Sequence, residues 1–308
     1  MLDGLSLDQL RVFLAAVDDG SFSAAARRLH RAQSAVSEMV AKLEDQVGVA
    51  LFDRAGRYPK LTAAGAVLLA DARGVIAGVD TMRAKARGMA AGLEPELSVV
   101  VDVMFPLCEL TFAARDFRLA FPHTPLRLFV EALGATFQLL LDRRASLGIV
   151  GSLPTNQPTL TIERLTGVSI VVVAAADHPL GRWPGTIPRT ELARHVQLVL
   201  TDRSDLSSGR DFFVLTASTW RLSDLFAKHA FLLGGLGWGG MPRHVVEADI
   251  AAGRLIPLTI EDVPAEAIVL PMSAAYSTDR PPGPAGRWLI ERLKADALRS
   301  QSTASIIT

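Results

Sequence analysis

Little in this chain has the spacing that catalysis needs. Its six histidines, at positions 30, 123, 178, 195, 229 and 244, form no metal-ligand pattern with one another or with Cys108, the single cysteine. One cysteine excludes an internal disulfide framework and a two-cysteine redox couple, and it suits a reducing compartment. Its setting between Leu107 and Leu110 predicts a buried, inert thiol on an apolar helix. There is no Walker-type loop, no dinucleotide glycine motif behind a strand and no Gly-x-Ser-x-Gly elbow. Gly234-Gly-Leu-Gly-Trp-Gly-Gly240 is rich in glycine but matches no phosphate fingerprint. These residues imply no metal and no cofactor.

A different chemistry is available near the N-terminus, where small polar side chains and bases are interleaved. Gln33, Ser34 and Ser37 open an amphipathic run, where side chains can meet base edges and free backbone amides can meet phosphate. Charge separates along the same stretch. Residues 1–26 hold Arg11 against Asp3, Asp8, Asp18 and Asp19, a sum of −3. Residues 27–60 hold Arg27, Arg28, Arg31, Lys42, Arg54, Arg57 and Lys60 against Glu38, Glu44, Asp45 and Asp53, a sum of +3. The whole chain is formally neutral, so the local surplus is what could neutralise phosphates. Charge alone fits a surface-charged three-helix bundle without a ligand equally well.

Such side chains act only if the backbone presents them together. Leu7, Leu10, Val12, Phe13, Leu14 and Val17 recur at helical spacing, and Gly20 stops that helix. Ser21-Phe-Ser23 opens a short second helix over 24–29, whose alanines permit close packing. A tight connection, His30-Arg-Ala32, leads to a third helix over 33–47, ended by Gly48. Two helices around so short a turn make a helix-turn-helix, and the extended pieces around Gly56 read as a wing. Residues 62–91 contain no proline, and Leu68, Ala72, Val75, Val79, Met82, Ala86 and Met89 alternate spacings of four and three, the seam of a two-stranded coiled coil. At 1.5 Å per residue this helix is a rod of roughly 45 Å, longer than a helix lying on its own domain needs. Gly74, Gly78 and Gly88 weaken it unless it is paired.

Beyond Pro95, strands and helices alternate, the pattern of a mostly parallel sheet covered by helices. Strands are expected at 97–103, 126–130, 147–150, 169–175, 197–200, 254–258 and 267–272. Helices are expected at 106–120, 135–143, 222–233, 242–252 and 286–298.

The residues themselves carry a resemblance. Ser21-Phe-Ser-Ala-Ala-Ala-Arg-Arg-Leu-His30, Gln33-Ser-Ala-Val-Ser37, Leu43-Glu44, Gly48, Leu51-Phe-Asp-Arg54, Arg57 and Leu61-Thr-Ala-Ala-Gly65 closely resemble the LysR-type transcriptional regulators. Phe121-Pro122, Asp177-His-Pro-Leu180, Gly235-Leu-Gly237 and Met241-Pro242 extend the likeness more weakly along the chain. It implies an α/β protein: an all-α winged helix-turn-helix with a linker helix, then two Rossmann-like lobes of periplasmic-binding-protein type. The DNA-binding domain would occupy 1–64, the linker and dimerisation helix 65–92, the effector-binding domain 93–300 and a flexible tail 301–308. Within the effector domain, residues 94–166 and 265–300 would form one lobe and 167–264 the other.

The resemblance assigns DNA contacts to Ser23, Arg31, Ala32, Gln33, Ser34, Ser37, Glu38, Arg54, Arg57 and Lys60. Dimer contacts fall to Leu68, Val75, Val79, Met82 and Met89. Ala32 departs from the Ser or Thr usual there, and the missing cap should cost roughly 1 kcal/mol. Glu38 replaces a basic or polar residue; an acid can accept from cytosine N4 but repels phosphate.

Ligands in such sheets bind at the carboxyl ends of strands, between the lobes. By resemblance that cleft lies near Asp102, Met104, Phe105, Glu131, Thr136, Thr201, Arg203, Trp220 and Trp238. Asp102 stands where the family often has Ser or Thr; it could bind an amine or hydroxyl, or merely cap the next turn. Trp220 and Trp238 could stack on an aromatic effector or pack in a core. Near Arg143 and Ser146 the family usually has Gly and Asp, so pocket chemistry is not carried over there.

The expectation is therefore a cytoplasmic, non-enzymatic regulator, dimeric or tetrameric. Its partners would be double-stranded promoter DNA, a small-molecule effector and copies of itself, with RNA polymerase a further contact open to such a protein. Asp3 and Asp8, with no basic residue before them, do not make a secretory signal. The longest apolar run, 170–176, is far short of a membrane span. An enzyme using its helix-turn-helix for dimerisation, and a regulator whose pocket answers to no effector, remain the alternatives.

Overall fold

The computed structural model describes residues 4–55, 59–151, 157–207, 212–263 and 268–304. The chain forms two compact units, Met1–Gly88 and Met89–Thr308.

The first unit contains α1 (Leu7–Asp18), α2 (Phe22–Arg28), α3 (Gln33–Val47), a two-stranded antiparallel ribbon of β1 (Phe52–Asp53) and β2 (Lys60–Leu61), and the start of α4 (Ala63–Ala90). Ser6 and Gln9 form a reciprocal capping box on α1. Ser21 accepts a hydrogen bond from the Ala24 amide at 3.1 Å, so α2 begins two residues before the expected position 24. Helix α3 has no side-chain cap at Ala32, and Gly48 ends it in the left-handed conformation at φ 76°. Phe13, Ala25, Ala26, Val36, Val40, Leu43 and Leu51 form the core, and Leu68, Leu69 and Ile76 of α4 pack onto it. Gly65 is required here, since a Cβ would lie 2.2 Å from the Leu51 carbonyl oxygen.

The second unit is a sheet with strand order β4-β3-β5-β11-β6-β9-β7-β8, and β10 pairs with β6. The strands are β3 (Leu97–Asp102), β4 (Leu126–Glu131), β5 (Leu147–Gly151), β6 (Leu160–Ala175), β7 (Gln197–Leu200), β8 (Thr219–Leu222), β9 (Trp238–Pro242), β10 (Leu255–Pro257) and β11 (Val269–Ser277). The helices are α5 (Leu107–Ala120), α6 (Gly134–Leu141), α7 (Arg189–Leu192), α8 (Leu225–Leu233), α9 (Arg243–Ala251) and α10 (Pro284–Ala304). Strands β3, β4 and β5 are parallel, as are β7, β8 and β9, while β6 and β11 run antiparallel to each other and to their other neighbours.

Two lobes result. Leu97, Val99, Phe117, Ile149, Met272 and Leu289 belong to the core of lobe one, and Val173, Leu198, Leu232 and Met241 to that of lobe two. Strand β6 leaves lobe one for lobe two and β11 returns, so the chain crosses twice. The long β6 starts at Leu160 instead of the expected 169; Glu163 and Arg164 interrupt the apolar pattern of its first half, which is why the sequence pattern does not mark it. Glu163 accepts hydrogen bonds from Tyr276 Oη (2.6 Å), Arg287 Nη1 (2.6 Å) and Lys294 Nζ (2.7 Å), which hold its carboxyl down to a pKa of about 2 and tie α10 to the sheet. Helix α10 reaches Ala304, so residues 301–304 are helical where a tail was expected.

Candidate nucleic-acid interface and ligand cleft

Gln33 and Ser34 are exposed on the first turn of α3, with Ser37 half-buried one turn further on. Because Ala32 offers no side-chain acceptor, the first-turn amides keep their hydrogen-bonding capacity for a ligand such as phosphate. Glu38 is exposed and pairs with Lys42 at 2.9 Å; that hydrogen bond holds its carboxyl below the usual range. Arg31 pairs with Asp8 at 2.8 Å, and Ser23 accepts from Arg27 at 3.1 Å.

The wing base is organised by Glu44. One of its oxygens accepts from the Leu51 and Phe52 amides at 2.8 and 3.0 Å, and the other holds Arg54 at 2.6 Å. Arg54 also lies over the Phe22 ring at 5.8 Å. Lys60 is exposed on β2, while Arg57 falls outside the described residues. On α4, Val75, Met82 and Met89 are 48%, 63% and 50% exposed, and Val79 is half-buried. Leu68 does not belong to this outward row; together with Ala72 and Ile76 it faces the unit's own core.

The lobes of the second unit enclose a cavity of about 190 Å³. Lobe one contributes Asp102, Met104, Leu133 and Gly151. Lobe two contributes Gln197, Leu198, Val199, Leu200, Phe212, Phe213, Lys228 and Gly240, and the crossing segments add Ile170, Ile268, Val269 and Leu270. Apolar groups dominate, with three polar side chains among them. Gln197 is occupied by the protein: its Oε1 accepts from the Leu215 and Thr216 amides, and its Nε2 donates to the Phe213 carbonyl at 2.7 Å.

Asp102 is buried at the end of β3. Burial raises its carboxyl to a pKa of about 6, against the backbone amides of Met104 (2.9 Å), Leu133 and Gly151, which favour the charged form. It therefore caps the following turn and also faces the cavity. Lys228, on α8, is 4% exposed and donates to the Gly240 carbonyl at 2.7 Å. Burial lowers its ammonium to a pKa of about 8, and among the described residues no carboxylate lies within ion-pair distance. Backbone strain gathers here too: Leu133 and Phe213 are non-glycine residues at φ 54° and 58°.

Asp202 bridges the lobes. Its two carboxylate oxygens accept from the Gly134 and Ala135 amides at 3.0 and 3.1 Å, at the N-terminus of α6, and also from Ser204. A Cβ at position 134 would lie 2.2 Å from Asp202 Oδ2, so glycine is needed for this approach.

Of the nine residues expected at the cleft, Asp102 and Met104 line it. Phe105 is in the core of lobe one because the turn capped by Asp102 points its ring inward. Thr136 is fully buried and donates to the Leu133 carbonyl at 2.6 Å inside the first turn of α6. Glu131 is half-buried at the end of β4, where its backbone carbonyl accepts from Val103. Thr201 and Arg203 flank Asp202 without lining the cavity, and the half-exposed Trp220, on the edge strand β8, meets Phe231 edge-on at 6.3 Å. Trp238 packs fully buried in lobe two, its Nε1 near the His195 carbonyl at 3.4 Å. Cys108 is exposed on α5, contrary to the buried thiol expected, because α5 turns Leu110 and Ala113 inward instead.

Lys228 escapes the sequence reading, and Asp202 enters it only as part of the segment from Thr201 to Ser204 that the resemblance puts near the cleft. A lone lysine inside the otherwise apolar Leu225-Phe-Ala-Lys-His-Ala-Phe-Leu-Leu233 was the available signal for the first. Asp202 sits within a recognised cleft segment, but only the fold brings it to Gly134.

Comparison with known proteins agrees with this architecture. Residues 7–66 match the bacterial regulatory helix-turn-helix protein family of lysR type, and residues 90–297 match the LysR substrate binding domain. The chain belongs to the LysR family and is a DNA-binding transcriptional regulator with a substrate-binding domain. It is 32% identical to the probable HTH-type transcriptional regulator YhaJ of Escherichia coli K12 over 258 residues, covering 82% of this chain and 85% of that one. It is 29% identical to the E. coli regulator PunR over 289 residues, covering 92% and 91%. Among solved structures, the Corynebacterium glutamicum OxyR C206 mutant aligns at 22% identity and a TM-score of 0.57, covering 98% and 96% of the two chains. CbnR, a LysR family transcriptional regulator, aligns at 23% and 0.51, covering 94% and 100%. These relatives are regulators, not enzymes. Among the described residues no helix is long and apolar enough to cross a membrane, and no cluster of His, Cys, Asp or Glu could hold a metal ion.

Proposed function

We propose that this regulator binds operator DNA as a dimer through paired winged helix-turn-helix domains and is switched by a small molecule held between its lobes. Gln33, Ser34 and Ser37 read base edges, with Arg31, Arg54 and Lys60 on phosphates. Val75, Val79, Met82 and Met89 form the seam with a second copy, placing two recognition helices on successive half-sites. The protein works in the cytoplasm, where promoter DNA and RNA polymerase are accessible to it.

The observation that carries the switch is the inter-lobe cleft closed by Asp202. An effector that favours one lobe arrangement shifts its population, altering the spacing of the DNA-binding domains and the bend of the DNA. Opening the lobes must break the Asp202 bonds to α6. Hydrogen exchange at the Gly134 and Ala135 amides tests this. Protection in the wild type, lost in Asp202→Ala, is expected; equally fast exchange in both proteins contradicts the latch.

A further inference from the structure

The charged groups of the cleft define what it can hold, given that the ligand sits between the lobes as proposed above. Asp202 already occupies the N-terminus of α6, so a ligand anion must find its counter-charge elsewhere. Lys228 supplies it. Among the described residues its ammonium has one acceptor, the Gly240 carbonyl, which leaves N–H groups for a ligand in the cavity it lines. A buried cation without a counter-ion is costly, and a ligand carboxylate would relieve that cost while forming a charge-assisted hydrogen bond.

Asp102 stands in the same cavity with its carboxyl held by three backbone amides. It opposes a second negative group. Size sets the remaining limit. An apolar cavity of ~150 Å³ accepts benzene, so a cavity of about 190 Å³ suits one ring with a small substituent.

We propose that the cleft binds a small monocarboxylate with an apolar body of single-ring size. Its carboxylate meets Lys228 Nζ and its body packs on Met104, Ile170, Phe213 and Leu270. Dicarboxylates are excluded by Asp102. The competing account gives Lys228 a structural task only, tying α8 to β9 through the Gly240 carbonyl.

Benzoate, benzamide and phthalate, titrated calorimetrically into the full-length protein, separate these accounts. Benzoate should bind at least tenfold more tightly than its neutral isostere benzamide or the dianion phthalate, and Lys228→Met should weaken benzoate at least tenfold. Equal binding of benzoate and benzamide, unchanged binding to Lys228→Met, or no binding of benzoate to the wild type overturns the proposal. If Lys228→Met fails to fold, the wild-type comparison of the three probes decides alone. Gly240→Val separates this claim from the inter-lobe reading, because a side chain there points at Ile170 and Phe213. Benzamide binding that Gly240→Val abolishes keeps the cleft and overturns the carboxylate; probe binding that survives Gly240→Val removes the cleft itself.

Discussion

Asp102 concentrates the conflict between charge and burial that marks this cleft. Its pKa is raised from 3.8 to about 6, so the folded protein holds a proton that the unfolded chain has released between those values. Stability from this group is complete below pH 4 and falls as pH rises through 6. Relative to Asp102→Asn, the wild type should lose roughly 2 kcal/mol between pH 4 and 7. Urea unfolding of both proteins at the two pH values measures it, and parallel pH profiles would contradict the assignment. Arg54 presents a milder contest. Its pairing with Glu44 is partly exposed and worth at most about 1 kcal/mol, so a phosphate can take its place. Arg54→Ala should weaken binding to cognate and random DNA alike and lower the salt slope by about 0.9. Gln33→Ala should weaken cognate binding selectively. Equal losses on both DNAs for Gln33→Ala, measured by fluorescence anisotropy, would remove its base-reading role.

The elements show where sequence patterns sufficed. Helix α3 was legible to both ends because Gly48 stops it and its apolar positions keep one period. The missing cap was equally legible, and Ala32→Ser should raise stability by about 1 kcal/mol in thermal unfolding; no gain would show that the first-turn amides already have partners. The first half of β6 was not legible, since Glu163 is satisfied by residues more than a hundred positions away. Strand β8 at the sheet edge carries too little periodicity to stand out. Cleft residues were carried over by resemblance, segment by segment, and of these Asp102 and Met104 line the cavity. The same reasoning misplaced Trp238 because aromatic type does not tell a core from a pocket. Asp202 with Gly134, and Lys228 with Gly240, are pairs that only tertiary folding creates.

For the whole molecule, the proposed switch requires that events in the second unit reach the first, and α4 is the chain segment that continues from one into the other. Its exposed Val75, Met82 and Met89 provide the apolar row that a second copy would cover. Replacing Val75 and Met82 by Glu should give a monomer in analytical ultracentrifugation. Losing one of two linked half-site contacts should lower operator affinity by a factor on the order of 10². A variant that stays dimeric would move the interface elsewhere. Specific binding of duplex DNA can be measured by gel retardation with the DNA upstream of the protein's own gene, with random DNA as competitor at two salt concentrations. Discrete retarded bands that weaken with salt and resist random competitor are predicted; no shift at low salt, or equal displacement by random DNA, would contradict the account.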